Sequence, residues 1–207
     1  MWVARGGEGG DPQGGPMTWV PPACAHRRLM DINTFEENFR DKKRKTYLCY
    51  KVEVREGDPW TPVLEHWDYL RNQGADTPWL PRHHAELCFL DLFPSWPLDQ
   101  EKQYRLTWYI SWSPCPDCVP ELVEFLKKNS HVSLRIFAAH VYTYIHGLRD
   151  LRDAGAQLAI MTRNELQDCW DTFVDSQGQP FEPWPNMDEH IQEESQQLQT
   201  ILRNPEN

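Results

Sequence analysis

Ser111-Trp112-Ser113-Pro114-Cys115-Pro116-Asp117-Cys118 decides how this chain folds, because it closes the apolar run from Tyr104 to Ser111 and sets two thiols three residues apart. The run reads as a strand, and Pro114 and Pro116 suit a helix start, where a missing amide donor costs little. Upstream, with 28 residues between Glu86 and Cys115, stands His84-Ala85-Glu86, opening a helix of its own. One imidazole and two thiolates make a tetrahedral zinc site with the fourth position left for water, and Glu86, two residues beyond the histidine, can handle that water's proton. This is hydrolytic chemistry. Taken alone, Cys115 and Cys118 could be half of a structural zinc knuckle or a redox pair at a strand-to-helix junction. A structural site needs four protein ligands, and the chain has no second CxxC and no HxxxH pair. Cys88, on the same helical face as His84, is a rival fourth ligand, but within Leu87-Cys88-Phe89-Leu90 a buried, inert thiol fits better.

Further matching segments are Lys45-Thr46-Tyr47-Leu48-Cys49-Tyr50, Cys169-Trp170-Asp171-Thr172-Phe173-Val174-Asp175 and Pro180-Phe181-Glu182-Pro183-Trp184. With the two metal motifs, they make the chain from about Met30 to Asn207 resemble the AID/APOBEC polynucleotide cytidine deaminases, most nearly single-domain members of the third, antiviral branch. The resemblance implies an α/β, cytidine-deaminase-like fold, a five-stranded mixed sheet flanked by six helices. It implies one Zn²⁺ per chain, carrying a water or hydroxide, on His84, Cys115 and Cys118. Two thiolates and a neutral imidazole leave that site without net charge, so its water is less acidified than on three histidines and a general base is needed. Glu86 is that catalytic group, moving a proton from water to N3 of cytosine and assisting departure of ammonia after attack at C4. By the same resemblance Trp112, Tyr142 and Tyr144 form the floor and wall of a cytosine pocket, Thr46 and Asn72 bond the target base and its sugar, and Ala85 and Ser113 complete the substrate site.

The composition agrees with one compact domain. Of 207 residues 40% are apolar, and roughly 175 of them remain after an N-terminal extension is set aside, near the usual domain size. Residues 1–29 are rich in Gly and Pro without a hydrophobic period and read as a flexible leader to a deaminase domain over 30–207, with Met17 and Met30 as alternative starts. Cysteines 24, 49, 88, 115, 118 and 169 show no disulfide framework, and neither a secretory h-region nor an apolar stretch of membrane length occurs, so reduced thiols, no membrane, and a place in cytoplasm and nucleus are expected. Periodicity predicts a short helix from Asp31, a strand near 47–54 with its hairpin partner near 61–70, and the strand 104–111. Beyond the thiols it predicts strands 133–138 and 157–161, alternating with helices near 146–154, 163–174 and 187–202. That order gives a sheet covered by helices on both faces.

The net charge of −10, with a pI near 5.2, argues at first against a polyanionic partner. Its distribution reverses the conclusion. Residues 164–207 hold ten acids against Arg203 alone, leaving 21 acids and 20 bases over 1–163, and Arg40-Asp41-Lys42-Lys43-Arg44-Lys45 puts five bases directly before Thr46. Lys43, Arg44 and Lys45, with His83, are candidate phosphate contacts, so binding should be salt-sensitive. A basic run is also an ordinary solvated face or a localisation patch.

The chain departs from the family pattern at three places. His140-Val141-Tyr142-Thr143-Tyr144 has His where many relatives have Arg and Thr where they have Asp, so a 5′ pyrimidine is expected while T or C stays open. His83 replaces the usual Arg before the ligand histidine. The Cys115 to Cys118 interval is the tighter of the family's spacings. The leading expectation is a zinc-dependent deaminase converting cytosine to uracil in single-stranded DNA, acting on viral or retroelement nucleic acid. The alternatives are a nucleic-acid-binding restriction factor acting mainly without deamination, or an RNA cytosine deaminase; protein partners are not legible. A free-nucleoside enzyme would have little use for the Trp112 and Tyr142 surfaces.

Overall fold

The computed structural model describes residues 28–43, 45–73, 83–142 and 147–203. Strand β1 (Tyr47–Arg55) pairs antiparallel with β4 (Gln103–Trp112), and β4 continues parallel to β5 (Val132–His140) and β5 to β6 (Gln157–Ile160). The outer edge of β1 carries two short antiparallel strands, β2 (Thr61–Pro62) and β3 (Asp68–Arg71), one after the other. The sheet thus has five strand positions, as predicted, with one of them split. The single partner strand predicted near 61–70 is broken because Leu64–His66 form a 3-10 turn, and the Val52 carbonyl accepts both the Val63 N–H at 2.9 Å and the Trp67 indole N–H at 3.0 Å. With that carbonyl bonded on both sides of the excursion, leaving the ladder strands no buried acceptor.

Among the described residues, six helices cover the sheet. Alternation along β1 and β4 sends Leu48, Tyr50, Val52, Leu106, Trp108 and Ile110 to one face, where α2 (Ala85–Leu92), α3 (Val119–Lys128) and α4 (Leu148–Asp153) bury them. On the other face Tyr47, Cys49 and Tyr109 meet α1 (Ile32–Phe35), the π-helical turn Glu36–Arg40 and α5 (Arg163–Phe173). Buried on both sides, these strands read as near-continuous apolar runs. The start of α5 is fixed by a capping box, Glu165 accepting from the Thr162 N–H while the Thr162 hydroxyl accepts from Asn164. The last helix, α6 (Met187–Arg203), begins with Met187 in the second core and ends with Leu198 and Ile201 in the first, passing beside β5 and β6.

Because β4 and β5 run parallel and β1 opposes them, the loop before β1, the loop after β4 and the loop after β5 meet at one end of the sheet. Open α/β sheets place ligand sites there, outside the carboxyl ends of the parallel strands. The leader predicted over 1–29 lies, except for Arg28 and Leu29, outside the described residues. No helix among the described residues is long and apolar enough to cross a membrane.

Candidate active site

His84 is the N-cap of α2, in extended conformation, which turns its ring away from the helix and toward the loop after β4. That loop closes as a tight turn in which the Cys115 carbonyl accepts the N–H groups of Cys118 and Val119, and Cys118 caps α3. The helix begins at Val119, later than Pro114 and Pro116 suggested, and the proline in its first turn is Pro120. The two thiols therefore sit in the turn that leads into the helix, and His84 Nδ1 lies 3.2 Å from Cys115 Sγ and 3.2 Å from Cys118 Sγ. Among the described residues, these three form one of two clusters whose donor atoms are close enough together for a metal ion.

Two positions along α2, Glu86 is 3% exposed and lies beside the Cys118 thiol. Burial pushes its carboxyl up to about 7. A hydrogen bond from Cys118 holds the Cys115 thiol down at about 5, while that shared proton and burial raise Cys118 well above an ordinary thiol. The pair thus gives up its first proton easily and its second with difficulty, the state of two soft donors whose remaining proton a cation would displace.

The aromatic candidates come together as well. Trp112, at the end of β4, and Tyr142, just after β5, have ring centroids 4.9 Å apart, and the Tyr142 N–H donates to the Ser113 hydroxyl at 3.2 Å. Tyr142 is 37% exposed, and Ser113 and Ala85 are buried. Thr46 and Asn72 hold one another: the Thr46 N–H donates to Asn72 Oδ1 and the Asn72 N–H to the Thr46 carbonyl, both at 3.1 Å. The exposed Lys43 accepts the Trp112 indole N–H on its carbonyl at 2.7 Å, and Lys45 lies half-buried before Thr46. His83 stands apart, its ring 2.9 Å from the Asp91 carboxylate on α2. Arg44 and Tyr144 lie outside the described residues. A cleft lined by Leu90, Phe93, Trp96, Phe125 and His131 opens at the opposite ends of α2 and α3 and shares no residue with the site.

Three residues near the pocket enter the sequence reading only through the charge balance or not at all: Lys42, His190 and Glu194. Glu194 Oε1 accepts from Lys42 Nζ at 2.6 Å, and Oε2 accepts from the Val141 N–H at 2.7 Å. His190 Nε2 meets His140 Nδ1 at 3.2 Å, beneath the Trp112 ring. A signal was present: Met187, Ile191, Glu194, Leu198 and Ile201 recur at helical spacing, so Glu194 interrupts an apolar stripe.

This fold and this donor set define the class. The family model described as "APOBEC3, cytosine deaminase domain" matches residues 28–202, and the chain belongs to that family. It is 49% identical over 191 residues to the DNA dC->dU-editing enzyme APOBEC-3G of Papio anubis, covering 87% of this chain and 50% of that protein. It is 42% identical over 165 residues to the DNA dC->dU-editing enzyme APOBEC-3H of Felis catus, covering 77% of this chain and 79% of that one. The chain thus spans about half the length of the APOBEC-3G relatives.

Proposed function

We propose that the chain is a zinc-dependent hydrolytic deaminase that converts cytosine to uracil in single-stranded DNA. The observation that carries this reading is the convergence of His84 Nδ1 on two sulfurs at 3.2 Å beside a buried carboxyl. One nitrogen and two thiolate sulfurs fit Zn²⁺ by donor chemistry, and three protein ligands are the count of an open, catalytic site. A zinc ion held there supplies a Lewis-acid centre that acidifies water.

The remaining work falls to the chain's own side chains. Glu86, with its carboxyl raised by burial to about 7, is poised to take a proton from the attacking water and give one up again near neutral pH. It delivers that proton to N3 of cytosine as water adds at C4, then takes the proton of the new C4 hydroxyl and passes it to the amine, so that the C4–N bond breaks, ammonia leaves and the C4 carbonyl of uracil forms. The Trp112 and Tyr142 rings offer the base a stacking surface, and Thr46 and Asn72, fixed by their mutual bonds, present polar groups at its rim. Lys43, Arg44 and Lys45 contribute charge for the backbone phosphates. His83, already facing Asp91, suits a phosphate less well. A binder acting without chemistry would have no use for a buried carboxyl in contact with the thiol pair.

The reading extends to a catalytic domain beginning near Met30. It also takes in action in cytoplasm and nucleus and restriction of retroviral and mobile-element nucleic acid, all on the strength of the family. Glu86→Gln tests its centre: the variant is expected to fold and hold zinc while turnover falls by about 10²–10⁴. A folded Glu86→Gln protein with wild-type turnover ends the assignment. Running the wild-type assay on four oligonucleotides that differ only in the base before C, as DNA and as RNA, sets the context preference and separates the DNA from the RNA reading.

A further inference from the structure

Glu194 occupies a core position of α6, 3% exposed, between apolar residues that pack into the two cores. A carboxylate is tolerated there only when both its oxygens are bonded, and both are. Their partners belong to two different loops. Lys42, 152 residues away in sequence, precedes Lys43, whose carbonyl accepts the Trp112 indole N–H. Val141 precedes Tyr142, whose ring lies against Trp112 and whose N–H is held by Ser113. Lys42 also has φ +54°, the left-handed region that is unfavourable for a residue with a side chain, so a partner is needed to keep it there. On the same helix His190 Nδ1 stands 4.0 Å from Glu194 Oε1, adding a neighbour without replacing either bond.

We propose, resting on the deaminase reading above, that Glu194 is a positioning residue that ties the loop before β1 to the loop after β5 and so sets the width of the base pocket between Trp112, Thr46 and Tyr142. It touches no reacting atom. It acts through Lys42 and Val141, and the C-terminal helix thereby controls how the target base is received at the far end of its own contacts.

The test compares Glu194→Met and Glu194→Gln in the full chain, reading KM and kcat on a cytosine-containing single-stranded oligonucleotide, amide hydrogen exchange at Val141 by NMR, and the thermal midpoint. Glu194→Met, which suits the apolar stripe and removes both bonds, is expected to raise KM by about tenfold or more with a smaller change in kcat, and to speed Val141 exchange by about tenfold. Glu194→Gln keeps an acceptor for Val141 but loses the charge facing Lys42, so Val141 stays protected and KM rises only about threefold. A residue that merely fills the core would shift the thermal midpoint of Glu194→Met and leave KM and Val141 exchange at wild-type values, and that result overturns the proposal. Loss of Val141 protection in Glu194→Gln overturns it too. Should Glu194→Met not fold, Glu194→Gln decides alone, an unchanged KM being the contrary outcome. If the wild-type chain deaminates no oligonucleotide, the deaminase reading falls by itself, and the contrast in Val141 exchange still decides whether the tie exists.

Discussion

At the scale of single residues, His140 carries a pH dependence into the fold. It is fully buried under Trp112 with its ring against His190. Burial, and then the neighbouring charges of His190 and Lys42, hold its pKa down at about 3. Between that value and the ordinary 6.5 the unfolded chain binds a proton that the folded chain refuses, so stability is complete above about 6.5 and is lost as the pH falls. His140 should therefore contribute a slope of up to about 1.4 kcal/mol per pH unit through that window. Chemical denaturation of the wild type and of His140→Gln, measured from about pH 7 to about pH 5, should show the steeper decline in the wild type. Equal slopes would mean that the ring is protonated inside the fold.

At the scale of elements, what the sequence disclosed follows the range of the interactions. Strands β4 and β5 and helices α5 and α6 lie within about two residues of their predicted limits, because both-face burial and helical periodicity are local patterns. The convergence of His84, Cys115 and Cys118 was legible for a similar reason: each motif is a few residues long and its spacing expresses the geometry. The break between β2 and β3 was not legible, since it depends on a carbonyl of β1 that accepts from two separate residues. Thr46, Asn72 and Tyr142 could be assigned only through the family, and Glu194 looked like one acid among ten because its partners lie 53 and 152 residues away. The seating of α2 is testable at this scale. Phe89, five residues after His84, is fully buried, with the rings of Trp108 at 4.7 Å and Tyr50 at 5.2 Å. Phe89→Ala should cost about 3–5 kcal/mol, lowering the thermal midpoint by on the order of 10 °C. Since Phe89 is not one of the three candidate metal donors, the variant kept cold should bind zinc with unchanged stoichiometry. A midpoint shift of only a degree or two would place α2 outside the main core.

At the scale of the whole molecule, the proposed function asks an acidic chain to bind a polyanion, and the resolution lies in where the acids are spent. Asp168 bonds Lys51, Asp188 bonds Arg163 and Glu194 bonds Lys42, so three of the ten acids of residues 164–207 face bases. Lys43 and Lys45 stand at the end of the sheet where Trp112 and Tyr142 meet. A single strand drawn to this end meets a local positive charge that the net charge of −10 conceals. Each phosphate neutralised on a single strand contributes about −0.7 to the slope of log K against log salt. If Lys43, Arg44 and Lys45 each neutralise one, the wild type should show a slope of about −2 between about 50 and 200 mM salt. Replacing all three by alanine should bring the slope close to zero while weakening binding most at low salt, as anisotropy of a labelled oligonucleotide would report. The zinc content and the Trp112–Tyr142 surface are untouched by that change, so turnover at saturating substrate should persist. A triple variant that keeps the wild-type slope would move the phosphate path away from the loop before β1 and leave the basic run as ordinary solvated surface.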